Sequence, residues 1–195
     1  SLPNIVDSLH KDLVVLSTSL HDVPARQRSM KKILTSVWEA LDDPYQRQLE
    51  SLSIFPCSFT PQAAEQICHT SQDTLTFFSD QSMLVRLGYG RYAFKPLIRQ
   101  FAMERLASQK EVKSALQEVF SNHYLEYLHQ KVSLLPSSRS PGQMLFAIDE
   151  ELENIDYALD WAFWIGEANL VQQAVEDFQH YRRTYQTQPE KANIS

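Results

Sequence analysis

Four sets of residues in this chain have the types and spacing to do chemistry. The first centres on Lys95. It stands between Tyr92-Ala93-Phe94, which reads as a short strand, and Pro96-Leu97-Ile98-Arg99-Gln100-Phe101-Ala102, which reads as the start of an amphipathic helix. Leu87-Gly88-Tyr89-Gly90-Arg91 reads as a turn between two aromatic-basic strands. A hairpin running into a helix puts Lys95 at an exposed corner, where its ammonium could meet a phosphate as a point charge. The second set is Asp149, Glu150, Glu151, Glu153 and Asp156. Carboxylates bind metals or transfer protons when they converge in a pocket. Here Leu152 and Ile155 interrupt them, so they read as the wet face of an amphipathic helix. The third set, Arg26, Arg28, Lys31 and Lys32, could face an anionic neighbour, and a solvated helix start is the plainer reading. The fourth is the histidines. His123 and His129 are six apart, off the i, i+4 spacing of paired ligands on one helix face, and no Ser-His-Asp or Cys-His arrangement stands out. No catalytic residue and no metal ligand is assigned.

Composition narrows the classes further. The sequence has 195 residues, enough for one or two domains with real cores. With four glycines it lacks a phosphate-binding G-x-x-x-x-G-K-[ST] loop, so it is not expected to hydrolyse ATP or to be an enzyme. A net charge of −6 disfavours generic nucleic-acid binding. No apolar run reaches the length of a membrane span, and Ser1-Leu2-Pro3-Asn4 does not open a secretory signal. Cys57 and Cys68 match neither a zinc pair nor a C-x-x-C redox motif, and read as two buried, reduced thiols. These features predict a cytoplasmic protein with no membrane partner.

Periodicity supplies the elements that must position these residues. Helices are expected over Leu2–Leu20, from about Ala25 or Arg28 to Leu41, over Tyr45–Ser53 after the Asp42-Asp43-Pro44 signal, over Pro61–Cys68 and over Ser71–Ser82. Ile54–Phe59 reads as an extended connection or small strand. Leu84–Leu87 and Arg91–Phe94 form the hairpin, and Pro96 opens a helix ending near Ala107. That order is the order of a winged helix-turn-helix domain. Further helices are expected over Glu111–Val132, Gln143–Trp164 and Ala168–Tyr185, with a loop at Leu134–Gly142 and a stop at Gly166. In them Trp161, Phe163 and Trp164 read as repeat packing. The expected fold is mainly α: a winged helix with a small β-hairpin, followed by an antiparallel, tetratricopeptide-like helical segment. The expected divisions are a leading helical segment over 1–24, the winged helix over 25–107, the repeat-like helices over 111–185 and a frayed tail over 186–195. One or two repeats cannot bury both faces, so the array is expected to continue.

Several stretches together carry a resemblance. They are Asp22-Val23-Pro24-Ala25-Arg26-Gln27-Arg28-Ser29-Met30 with Trp38-Glu39-Ala40-Leu41; Leu52-Ser53-Ile54-Phe55-Pro56-Cys57-Ser58-Phe59-Thr60 with Ala63-Ala64-Glu65; Asp80-Gln81-Ser82-Met83-Leu84-Val85; Gly90-Arg91-Tyr92 through Arg99-Gln100-Phe101-Ala102; and Glu151-Leu152-Glu153-Asn154-Ile155 with Ala158-Leu159-Asp160-Trp161-Ala162. Over roughly residues 2 to 180 the chain resembles the winged-helix region and first repeats of bacterial STAND (NB-ARC-type) signal-transduction ATPases, many of them transcriptional regulators.

The resemblance implies a nucleotide-binding domain ahead of Ser1 in the same parent chain, holding ATP or ADP, while this stretch binds no cofactor alone. It implies a winged helix that rests on the bound nucleotide and swings away on exchange, and repeats that meet an unknown protein or ligand. The family's phosphate-contacting histidine corresponds to Lys95, and Pro96 takes the neighbouring acidic position. Arg26, Arg28 and Arg99 are candidates for interdomain docking, although Arg99 also suits a salt bridge within its own domain. The alternative function is a DNA-binding winged helix of a transcriptional regulator. The would-be reader helix, Ser71–Ser82, carries Asp73 and Asp80 and no lysine or arginine, so phosphate repulsion opposes docking.

Overall fold

A computed structural model describes residues 32–186. Among them the protein is mainly helical, with nine α-helices and a small two-stranded antiparallel sheet. The described residues fall into two compact units. The first contains 32–53 and Ser58–Lys110, and the second contains Ile54–Cys57 and 111–186. The expected leading helix, Arg26, Arg28, Lys31 and the tail beyond 186 lie outside the described residues.

The first unit is built by short helices with local start and stop signals. Helix α1 covers 32–39 and buries Leu34, Val37 and Trp38. Helix α2, Asp43–Leu52, follows a tight corner. Asp42 occupies the N-cap but its side chain makes no cap bond. Gln46 instead reaches back and donates through Nε2 to the carbonyls of Trp38 (3.0 Å) and Leu41 (2.9 Å). Helix α3, Pro61–Cys68, is capped by Thr60, whose Oγ1 accepts from the Ala63 N–H at 3.1 Å. Helix α4, Gln72–Asp80, is capped by Ser71 and buries Leu75 and Phe78 completely. Burying each of these side chains contributes on the order of 1.5–3 kcal/mol. α4 ends two residues before the expected Ser82, because Ser82 takes a left-handed φ of 59° that the helix cannot continue through.

Strands β1 (Leu84–Arg86) and β2 (Tyr92–Phe94) pair with Leu84 opposite Phe94 and Arg86 opposite Tyr92. Phe59 adds an isolated antiparallel bridge to Tyr92, with both N–H···O distances 2.8 Å. The turn Gly88–Gly90 places Tyr89 at φ 58°, and its ring is 88% exposed. Helix α5, Pro96–Ser108, packs on α2. It brings Phe101 edge-on to Trp38 at 5.6 Å, and Arg105 lies 4.8 Å from the Trp38 ring centre.

In the second unit, helix α6 (Lys110–Leu134) buries a stripe of Phe120, Tyr124, Leu125, Leu128 and Val132. Val112 and Val119 of the same helix are exposed. Phe55 from Ile54–Cys57 is fully buried against this stripe, 5.4 Å from Phe120 and 6.4 Å from Tyr124 between ring centres. The helix expected over Gln143–Trp164 is two helices, α7 (Pro141–Asp149) and α8 (Leu152–Ile165). The chain breaks at Glu150-Glu151, where Glu151 turns inward with φ −110° and ψ 4°. Gly166 terminates α8 at φ 82°, and the Glu167 N–H closes the end on the Ala162 carbonyl at 3.0 Å. Helix α9, Ala168–Gln186, packs on α8.

Candidate functional site

Lys95 sits where β2 hands over to α5, as the N-cap residue of that helix. Its own N–H donates to the Met83 carbonyl at 3.3 Å, and its carbonyl accepts from Arg99 N–H at 3.0 Å. The backbone is therefore fixed from both sides. A lysine side chain has no acceptor, so the helix start has no side-chain cap. Pro96 at the first turn has no N–H, which leaves Leu97 and Ile98 to supply the first-turn donors. A cation on a helix N-terminus strengthens the positive potential that the aligned peptide dipoles already create there. The corner is less open than the sequence suggests: Lys95 and Arg99 are both partly buried, while Pro96 and Leu97 are exposed.

The other basic residues of the hairpin are engaged within the first unit. Arg91, 6% exposed, donates from Nε to Ser58 Oγ (2.9 Å) and from Nη2 to the Ser58 carbonyl (2.8 Å). Arg86 lies 3.9 Å from Asp80 and over the Tyr92 ring. The expected aromatic-basic strands thus spend their guanidinium groups on holding the hairpin.

No family model, no curated protein and no solved structure matches the chain.

The carboxylates expected along one wet helix face separate into different environments. Glu151 is 5% exposed and accepts from Asn154 Nδ2 at 2.7 Å. Asn154, fully buried, accepts in turn from Cys57 Sγ at 3.2 Å. Asp149 accepts from the Tyr181 hydroxyl. Glu153 and Asp156 remain exposed. Both cysteines are free; Cys57 is half-buried rather than buried, and burial pushes the Cys68 thiol up. The two histidines also part company. His129 on α6 points Nδ1 at both oxygens of the buried Asp177 on α9, at 3.1 and 3.2 Å, beside Gln173 Nε2. Sequence reasoning missed this pair, since its members are 48 residues apart. Among the described residues, no group of three or more His, Cys, Asp or Glu is arranged to hold a metal ion, and no helix is long and apolar enough to cross a membrane. Within the first unit, a void lined by Trp38, Met83 and Phe101 measures about 10 Å³, too small for an organic ligand.

His123 carries a pH dependence. Burial holds its imidazole below the usual range, and the carboxylates of Glu151 and Glu126 oppose that shift. The unfolded chain takes up this proton near pH 6.5, whereas the folded chain resists it. Below about pH 6.5 the unfolded state then binds more protons, so stability falls with pH until folded His123 itself protonates. His123→Gln is expected to flatten that limb of the stability curve, as measured by urea unfolding at a series of pH values.

Proposed function

We propose that this chain is a non-catalytic regulatory module of a larger nucleotide-switch signalling protein of the STAND type. In this reading the first unit is a winged helix that docks on the nucleotide-binding domain of the same parent chain. The second unit begins a tetratricopeptide-like array that meets a protein or ligand partner, and the whole works in the cytoplasm. The observation that carries the reading is the Lys95 corner: a cationic residue at the uncapped start of α5, fixed by Met83 and Arg99 at the base of a hairpin. Such a corner suits a phosphate presented by a neighbouring domain, through charge and the first-turn N–H groups together. One lysine and a helix start give too little affinity to hold a nucleotide alone, so the parent protein's domain would supply ATP or ADP and most of the binding.

DNA binding is disfavoured by the same geometry. Helix α4 exposes Asp73 near its start and Asp80 at its end, and the hairpin arginines are taken up by Ser58 and Asp80.

The test is complex formation between this chain and the parent protein's nucleotide-binding domain, loaded with ADP or with a non-hydrolysable ATP analogue. The ADP state is expected to bind more tightly by roughly 5- to 150-fold, the usual range of switch coupling. Lys95→Glu is expected to abolish most of that difference. Equal affinity in both states would overturn the reading. So would salt-sensitive binding of random duplex DNA in a mobility-shift assay.

A further inference from the structure

The outer face of α8 ends in large apolar side chains that nothing among the described residues covers. Phe163 is 75% exposed, Trp164 86% and Ile165 43%. Of the three aromatics read as repeat packing, Trp161 is half-buried, while Phe163 and Trp164 stand exposed as α8 turns Ala158 and Ala162 inward. Adjacent large apolar groups left exposed at one place mark an interaction surface more often than chance exposure does. The same face continues as Glu153, Asp156 and Asp160, all exposed. At 100° per residue these carboxylates and the two rings share one stripe about 100° wide, running roughly 16 Å along the helix. No cation pairs with the three carboxylates among the described residues. They work against one another: Asp156 is held above the usual carboxylate range, first by partial burial and then by Asp160 and Glu153.

We propose that this face of α8 binds a cationic amphipathic helix of a protein partner, one with leucine-like anchors against Phe163 and Trp164 and Arg or Lys along the carboxylates. The identity of the occupant follows from charge. A partner cation relieves repulsion that the isolated helix endures, and an arginine can also lie on the Trp164 indole. Helical presentation places side chains at i, i+3, i+4 and i+7, the spacing of the stripe itself. A second copy of this chain would set the same carboxylates against each other in a two-fold contact. Nucleic acid and anionic lipid are repelled for the same reason. The proposal rests on the reading of the second unit as a partner-binding element.

The experiment uses the full chain and three labelled helical peptides that share one leucine face and carry arginine, glutamine or glutamate on the other. The arginine peptide is expected to bind, to change tryptophan emission, and to weaken as salt is added. Trp164→Ala and the double variant Asp156→Lys/Asp160→Lys are each expected to lower its affinity at least about tenfold. Equal binding of all three peptides, or unchanged affinity in both variants, would overturn the proposal. So would finding that self-association or lipid vesicles cover Trp164 while the arginine peptide does not. Because the variants leave the first unit untouched and no nucleotide domain is present, this result is separable from that of the nucleotide-dependent complex.

Discussion

Phe55→Ala is expected to destabilise the second unit by about 3–5 kcal/mol, the usual range for deleting a buried phenyl ring. Phe55 is fully buried, and its ring meets Phe120 and Tyr124 edge-to-face. The substitution removes both the transfer energy of the ring and the aromatic contacts, and it leaves a hole that the backbone of α6 cannot easily close. Phe163→Ala on α8 is the control. That ring is 75% exposed, so its loss should move stability by no more than about 0.5 kcal/mol in either direction. Urea unfolding followed by far-UV circular dichroism reads both. A cost below about 1 kcal/mol for Phe55→Ala would show that the ring is not seated as described.

How far such features are legible in the sequence depends on whether their causes are local. Helix α3 is read correctly from Thr60 and Pro61, because a cap and a first-turn proline act within one turn of each other. The end of α8 is likewise set by Gly166 alone, which tolerates the left-handed turn at φ 82°. The hairpin is legible too, trimmed by one residue on each strand. The break between α7 and α8 is not. Ile148, Leu152 and Ile155 keep helical spacing straight through it, so periodicity predicts one long helix. One partner of the buried Asn154, the Cys57 thiol, lies 97 residues away in sequence. Arg91 shows the same limit: its type says surface, while Ser58, 33 residues back, draws it inside. At Lys95 the position is legible, as the residue before a first-turn proline. Its partial burial is not, since that comes from tertiary packing.

The buried network behind that break yields the second large expectation. Asn154→Ala should cost about 1.5–3 kcal/mol, the usual worth of a hydrogen bond to a charged group. Asn154 is fully buried and gives its Nδ2 to the Glu151 carboxylate at 2.7 Å while taking the Cys57 thiol on Oδ1. Alanine removes the donor and leaves Glu151, 5% exposed, with one hydrogen bond fewer and little water to replace it. The Cys57 bond is weaker, since a thiol is a poor donor, so Cys57→Ala should cost less than Asn154→Ala. Glu151→Gln discriminates between charge and shape. It keeps an acceptor for Asn154 and removes the buried charge, so it should be milder than Asn154→Ala. A double-mutant cycle between positions 151 and 154 measures the bond itself: combining Glu151→Gln with Asn154→Ala should cost less than the sum of the two. Strict additivity would mean that the pair does not act as a unit, and the inward turn of Glu151 would then need another cause. The expected coupling instead makes the turn a trade. One helix gives up its continuity at Glu150-Glu151, and in return a buried carboxylate and a buried amide satisfy each other.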